Sequence, residues 1–98
     1  MGIQVRLEDS LHCPRVICDT CGQPIDRCEL GNVCFPDGSS PVFVHKGACD
    51  RSQPRGRQYP WMELRHFIQF LCNNIGYKGK VARQAREELK FLGGMGLV

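Results

Sequence analysis

The string Cys18-Asp19-Thr20-Cys21-Gly22, followed after 23 residues by His45 and then by Cys49, constrains this chain more than any other feature. A Cys-x-x-Cys spacing is the shortest common one at which a single turn aims two sulfurs at the same ion. Zinc prefers four tetrahedral ligands drawn from thiolate and imidazole, so Cys18, Cys21, His45 and Cys49 read as one ligand set. Four protein ligands leave no open position, which marks a structural metal and not a catalytic one. Gly22 stands where the turn around a metal asks for positive φ, a conformation glycine adopts without steric cost.

The chain has need of such a staple. It has 98 residues, 42% of them apolar, and a unit of about 50 residues buries too little apolar surface to fold comfortably by itself. There are seven cysteines, an odd number, and the opening MGIQVRLEDS mixes charge with isolated apolar residues, unlike an export signal. The expectation is a cytoplasmic chain with reduced thiols, in which metal ligation is favoured over a disulfide framework. No apolar run approaches the roughly 20 residues of a membrane span.

Cys18 and Cys21 also admit a thioredoxin-like redox reading. That chemistry wants the pair leading into a helix within a βαβ unit, and Gln23-Pro24 argues against it. Cys13, beside His12, is a rival donor able to replace one of the four ligands. Cys34 and Cys72 read as small core residues, and Cys28 as a surface thiol. The remaining donors are too few for a second metal site.

The string CDTCGQPI, followed by a hairpin and a His/Cys pair, resembles treble-clef zinc fingers and especially the first half of a LIM domain, over roughly residues 16–51. That resemblance implies a knuckle around the first pair, a second pair where the hairpin hands over to a helix, and zinc on Cys18, Cys21, His45 and Cys49. It also implies a docking or nucleic-acid-binding module.

The rest of the chain supplies the surroundings. Ile3, Val5 and Leu7 alternate with polar residues, the period of a half-buried strand. Asn32–Phe35 and Val42–His45 are short strand-like runs, and the turn-rich residues 36–41 between them predict a hairpin. Trp61, Leu64, Ile68, Leu71, Cys72 and Ile75 fall on one face of a helix that Gly76 ends, with Trp61 in the core. A second helix runs from about Lys80 to Leu92, with Val81, Ala82, Ala85, Leu89 and Leu92 on one arc, and the closing GGMGLV is expected to fray. Phe70 and Phe91 lie off these stripes and are expected to pack against the metal unit. The predicted fold is α+β: a small treble-clef-like zinc-binding β unit over 1–50, a linker over 51–60, and a C-terminal helical hairpin over 61–98 packed on the β unit.

Charge divides at the linker. Residues 1–60 hold seven Lys/Arg against seven Asp/Glu, and residues 61–98 hold six against three, so the net +3 lies in the C-terminal part. Arg83, Arg86 and Lys90 share one arc of the second helix, a stripe suited to the phosphates of DNA or RNA. Arg51, Arg55 and Arg57 extend it if they fold toward it, and Tyr59 and Trp61 offer stacking faces. A protein-protein adaptor is the alternative, with thiol redox as a third reading. A glycine-rich phosphate loop and a serine-nucleophile motif are absent from the sequence, so neither an enzyme nor a small-molecule substrate is expected.

Overall fold

Every residue of the strand Gly31–Cys34 is buried, and the rest of the fold is arranged around it. The computed structural model of the chain describes residues 2–52 and 59–94. In order, the elements are β1 (Ile3–Glu8), β2 (Leu11–Val16), a 3-10 turn (Cys28–Leu30), β3 (Gly31–Cys34), β4 (Val42–His45), α1 (Ala48–Arg51), β5 (Trp61–Glu63), α2 (Leu64–Asn74) and α3 (Gly79–Gly94). The architecture is α+β, as the sequence predicts.

The sheet around β3 is antiparallel with order β4-β3-β5. Val33 pairs with Phe43 on one side and with Met62 on the other. A strand flanked on both edges and covered on both faces reads as a continuous apolar run, which Val33 and Cys34 supply. The β3-β4 hairpin falls where it was predicted. Its loop is tied by the Asp37 carboxylate, which accepts the backbone N–H groups of Ser39 at 2.9 Å and Ser40 at 2.7 Å, the side-chain turn that Asp favours.

Two differences from expectation concern strands. Trp61 does not begin a helix: residues Trp61–Glu63 are extended and pair with β3, and α2 starts at Leu64. Trp61 is 43% exposed and is not a core residue. The residue that enters the core is Leu64, wholly buried with Ile25, Val33, Cys34, Phe43 and Val44. The N-terminal strand is half of a hairpin, because Asp9 and Ser10 both adopt left-handed φ, 50° and 66°, and turn the chain into β2. Such a two-residue turn matches the twist of the strands it joins.

α2 lies over the sheet through Phe67, whose ring meets Phe43 edge-on with centroids 5.7 Å apart and Phe35 at 6.1 Å. Phe70, expected to pack inward, is exposed. α3 occupies almost the predicted span, but Val81, Leu89 and Phe91 on it are exposed too. The predicted segment 51–60 includes the end of α1 at Arg51, and its residues 53–58 lie outside the described part, as do residues 95–98. Among the described residues, no helix is long and apolar enough to cross a membrane.

Candidate metal centre

The first two donors come from a knuckle between Ile17 and Pro24, which form an isolated antiparallel bridge. The Cys18 N–H donates to the Gln23 carbonyl, and the Gly22 N–H donates back to the Cys18 carbonyl, both at 2.9 Å. Closing that loop requires φ of +75° at Gly22, the glycine role expected from the sequence. The knuckle is clasped to β4 by Asp19. Its N–H donates to the Phe43 carbonyl at 2.7 Å, and its carboxylate accepts the Phe43 N–H at 2.8 Å.

The other two donors leave the hairpin. His45 is the last residue of β4, and Cys49 is the second residue of α1. Gly47 between them has φ 91° and ψ −126°, a backbone shape that side-chain-bearing residues rarely adopt. It turns the chain from strand into helix within two residues. Thr20 Oγ1 then donates to the Cys49 carbonyl at 3.3 Å, joining α1 to the knuckle.

The ligand atoms of Cys18, Cys21, His45 and Cys49 all lie within 4.8 Å of one another. This Cys3His cluster could hold a metal ion. Cys13, the rival donor, stands in β2 and is not one of its members. His45 is oriented by its far nitrogen: Nε2 lies 3.0 Å from the Pro24 carbonyl oxygen. A carbonyl only accepts, so Nε2 carries the proton and Nδ1 presents its lone pair to the cluster, 3.5 Å from the Cys21 sulfur. A backbone acceptor on the outer ring nitrogen is the arrangement that fixes a metal-binding histidine.

The thiols are set apart electrostatically. Burial pushes the Cys18 thiol up, but the backbone N–H groups of Cys21, His45 and Thr20 outweigh it and bring it down to about 6. Desolvation, reinforced by the Cys18 and Cys21 sulfurs, pushes Cys49 up to about 11. One thiolate is thus ready near neutral pH, and a cation bound there would displace the Cys49 proton to solvent.

Beneath the cluster lies a buried polar group that sequence reasoning missed. Asp50, 1% exposed, accepts Asn32 Nδ2 at 3.2 Å and faces the Cys34 sulfur at 3.9 Å. A polar Asn32 at the head of the apolar run Val33-Cys34-Phe35 was its only sign in the sequence, since Asp50 stands beside polar residues. Asp50 follows Cys49 directly, so its anchorage to β3 also fixes the helix that carries the fourth donor.

The structure places Arg83, Arg86 and Lys90 on α3, all three exposed. Of the aromatic residues near the linker, Tyr59 packs against the core, whereas Trp61 stands exposed. Arg51 is exposed at the end of α1, and Arg55 and Arg57 lie outside the described residues. Compared with protein-family models, curated proteins and solved structures, the chain matches none.

Proposed function

We propose that the chain is a non-catalytic zinc module of treble-clef type that binds nucleic acid through α3. Zinc suits the donor set, since three thiols and one imidazole satisfy its tetrahedral preference and four protein ligands leave no place for substrate. At zinc-sulfur distances of about 2.3 Å the sulfurs of such a site stand about 3.8 Å apart, within an ångström of the cluster's 4.8 Å span. The succession of knuckle, hairpin and helix start resembles the treble clef, with one residue more between His45 and Cys49 than the usual LIM spacing. When bound, the ion supplies a cross-link. The chain's own residues do the rest: Pro24 orients His45, Gly47 aims Cys49, and Asp19 holds the knuckle on β4.

The nucleic-acid reading is carried by Arg83, Arg86 and Lys90, exposed along one arc of α3 with no ion pair to any described residue. Each phosphate so neutralised makes affinity fall with salt. The test is fluorescence anisotropy with random-sequence DNA and RNA at about 50 and 200 mM salt. Binding that weakens steeply with salt, and a shallower salt dependence for Arg83→Ala/Arg86→Ala/Lys90→Ala, support the reading; no binding at low salt refutes it. Exposed Phe70, Ile75 and Leu89 favour a second reading, a zinc-stabilised protein adaptor. Native mass spectrometry tests the metal. One zinc per chain is expected, and a metal-free Cys18-Cys21 disulfide would return the thiol redox reading.

A further inference from the structure

The β1-β2 hairpin has two outer edges, and they are treated differently. The Gly2 carbonyl accepts the Ile17 N–H at 2.6 Å, which makes Gly2 and Ile17 a hydrogen-bonded pair. In an antiparallel ladder such pairs alternate with non-hydrogen-bonded ones. With Ile3 opposite Val16 and Val5 opposite Pro14, Gln4, Arg6 and Glu8 therefore turn their backbone groups toward β2, and Ile3, Val5 and Leu7 turn theirs outward. The opposite strand agrees: the Val16 carbonyl points away from β1 and accepts the Ile25 N–H at 2.7 Å.

On the β2 edge, Val16 is thus partly used and Pro14 has no N–H to offer, a common way of blunting an edge strand. On the β1 edge no described residue blocks pairing. Among the described residues, Ile3, Val5 and Leu7 have no backbone partner on that side, and their side chains are 58%, 64% and 70% exposed. The same three residues carry the free hydrogen-bonding groups and the exposed apolar row.

We infer that β1 is the seam of a symmetric homodimer, pairing antiparallel with β1 of a second copy about a twofold axis at Val5. In this register Val5 faces Val5, and Ile3 faces Leu7 twice. All three outward-pointing residues of each chain meet in hydrogen-bonded pairs, and their side chains form an apolar ladder on one face. On the other face Gln4 lies opposite Arg6, so no like charges oppose directly. A slip of one residue brings inward-pointing groups to the seam. A slip of two toward the turn sets Ile3 against Asp9 and Arg6 directly against Arg6, a like-charge pair across the strands. The run Ile3-Gln4-Val5-Arg6-Leu7 has the same apolar-polar alternation in both directions, which a twofold interface requires of a single patch. The result is a four-stranded sheet, β2-β1-β1-β2, with Pro14 on both outer edges. It also brings Leu7 of the second copy beside Ile3, at the mouth of an apolar cavity of about 440 Å³ lined by Ile3, Phe43, Phe67 and Leu71.

Sedimentation of the full metal-loaded chain across a concentration series tests this. A reversible monomer-dimer equilibrium is expected. Val5→Lys, at a position 64% exposed, should keep metal content and circular dichroism while raising the dissociation constant more than about tenfold, because like charges meet directly across the strands. Ile3→Lys and Leu7→Glu should each weaken association alone, and their equimolar mixture should associate more tightly than either, since one chain's new ammonium then faces the other's carboxylate. A chain that stays monomeric at every concentration overturns the inference. So does a dimer indifferent to Val5→Lys, or a mixture no tighter than its components.

Discussion

Pro24 and His45 are joined by one hydrogen bond, from the imidazole Nε2–H to the Pro24 carbonyl oxygen at 3.0 Å, and that bond decides which nitrogen faces the three sulfurs. Because the acceptor is main chain, side-chain substitution at position 24 does not remove it, and the tautomer is built into the turn that follows the knuckle. Long-range nitrogen-proton NMR should show the His45 proton on Nε2, with Nδ1 shifted on metal addition. His45→Cys should retain a metal as a four-thiol site, whereas Cys21→Ser should lose it along with the fold of the β unit. Structural zinc contributes on the order of 10 to 16 kcal/mol in finger peptides, against about 5 to 15 for the net stability of a typical domain. A Cys21→Ser chain that kept its metal and melted like the parent would dismiss the ligand set.

Leu64 is the one fully buried residue of α2, set among Ile25, Val33 and Val44 beside the metal cluster. Leu64→Ala should cost about 2 to 5 kcal/mol by denaturant unfolding. Since the same core holds the buried Cys18, the variant should also release its metal to a chelator faster than the parent does.

Asn32→Ala removes the donor to the buried Asp50 carboxylate and should cost about 1 to 3 kcal/mol. Its effect reaches the cluster through Cys49, so metal affinity measured against a chromophoric chelator should fall as well. An exposed substitution such as Arg86→Ala, by contrast, should leave stability within about 0.5 kcal/mol.

Glu63 joins the end of β4 to the start of α2 by accepting from Lys46 and Arg65. Those side-chain hydrogen bonds, Lys46 first, hold its carboxyl down at about 2, against an ordinary 4.5. A carboxyl depressed by folding adds stability that is complete above its unfolded value and vanishes as pH drops through its folded one. Glu63→Gln should therefore be less stable than the parent near neutral pH, and the gap should narrow as pH falls below about 4.5. Parallel melts across pH 7 to 2 measure it, and a gap independent of pH would refute the assignment.

The donors were legible because each lies in a local signal: a two-residue cysteine spacing, Gly22 after it, and a hairpin bounded by turn residues. The strands β2 and β5 were hidden for different physical reasons. Asp9 and Ser10 form a left-handed turn without glycine, and Pro14 disguises a strand whose edge has no use for its N–H. Trp61–Glu63 becomes a strand only through pairing with β3, a partner far away in sequence, while its apolar spacing continues the helix. In α2, Phe67 and Ile68 both extend the arc from Leu64, so periodicity could not choose the inward face. Packing against Phe35 and Phe43 chose Phe67.

Phe43 is gripped along its backbone by Asp19 of the knuckle and touched on its ring by Phe67 of α2. A displacement of the sulfur-bearing knuckle thus has a short mechanical route to α2. Knuckle and helix share one fulcrum, a single phenylalanine held by its main chain on one side and by its ring on the other.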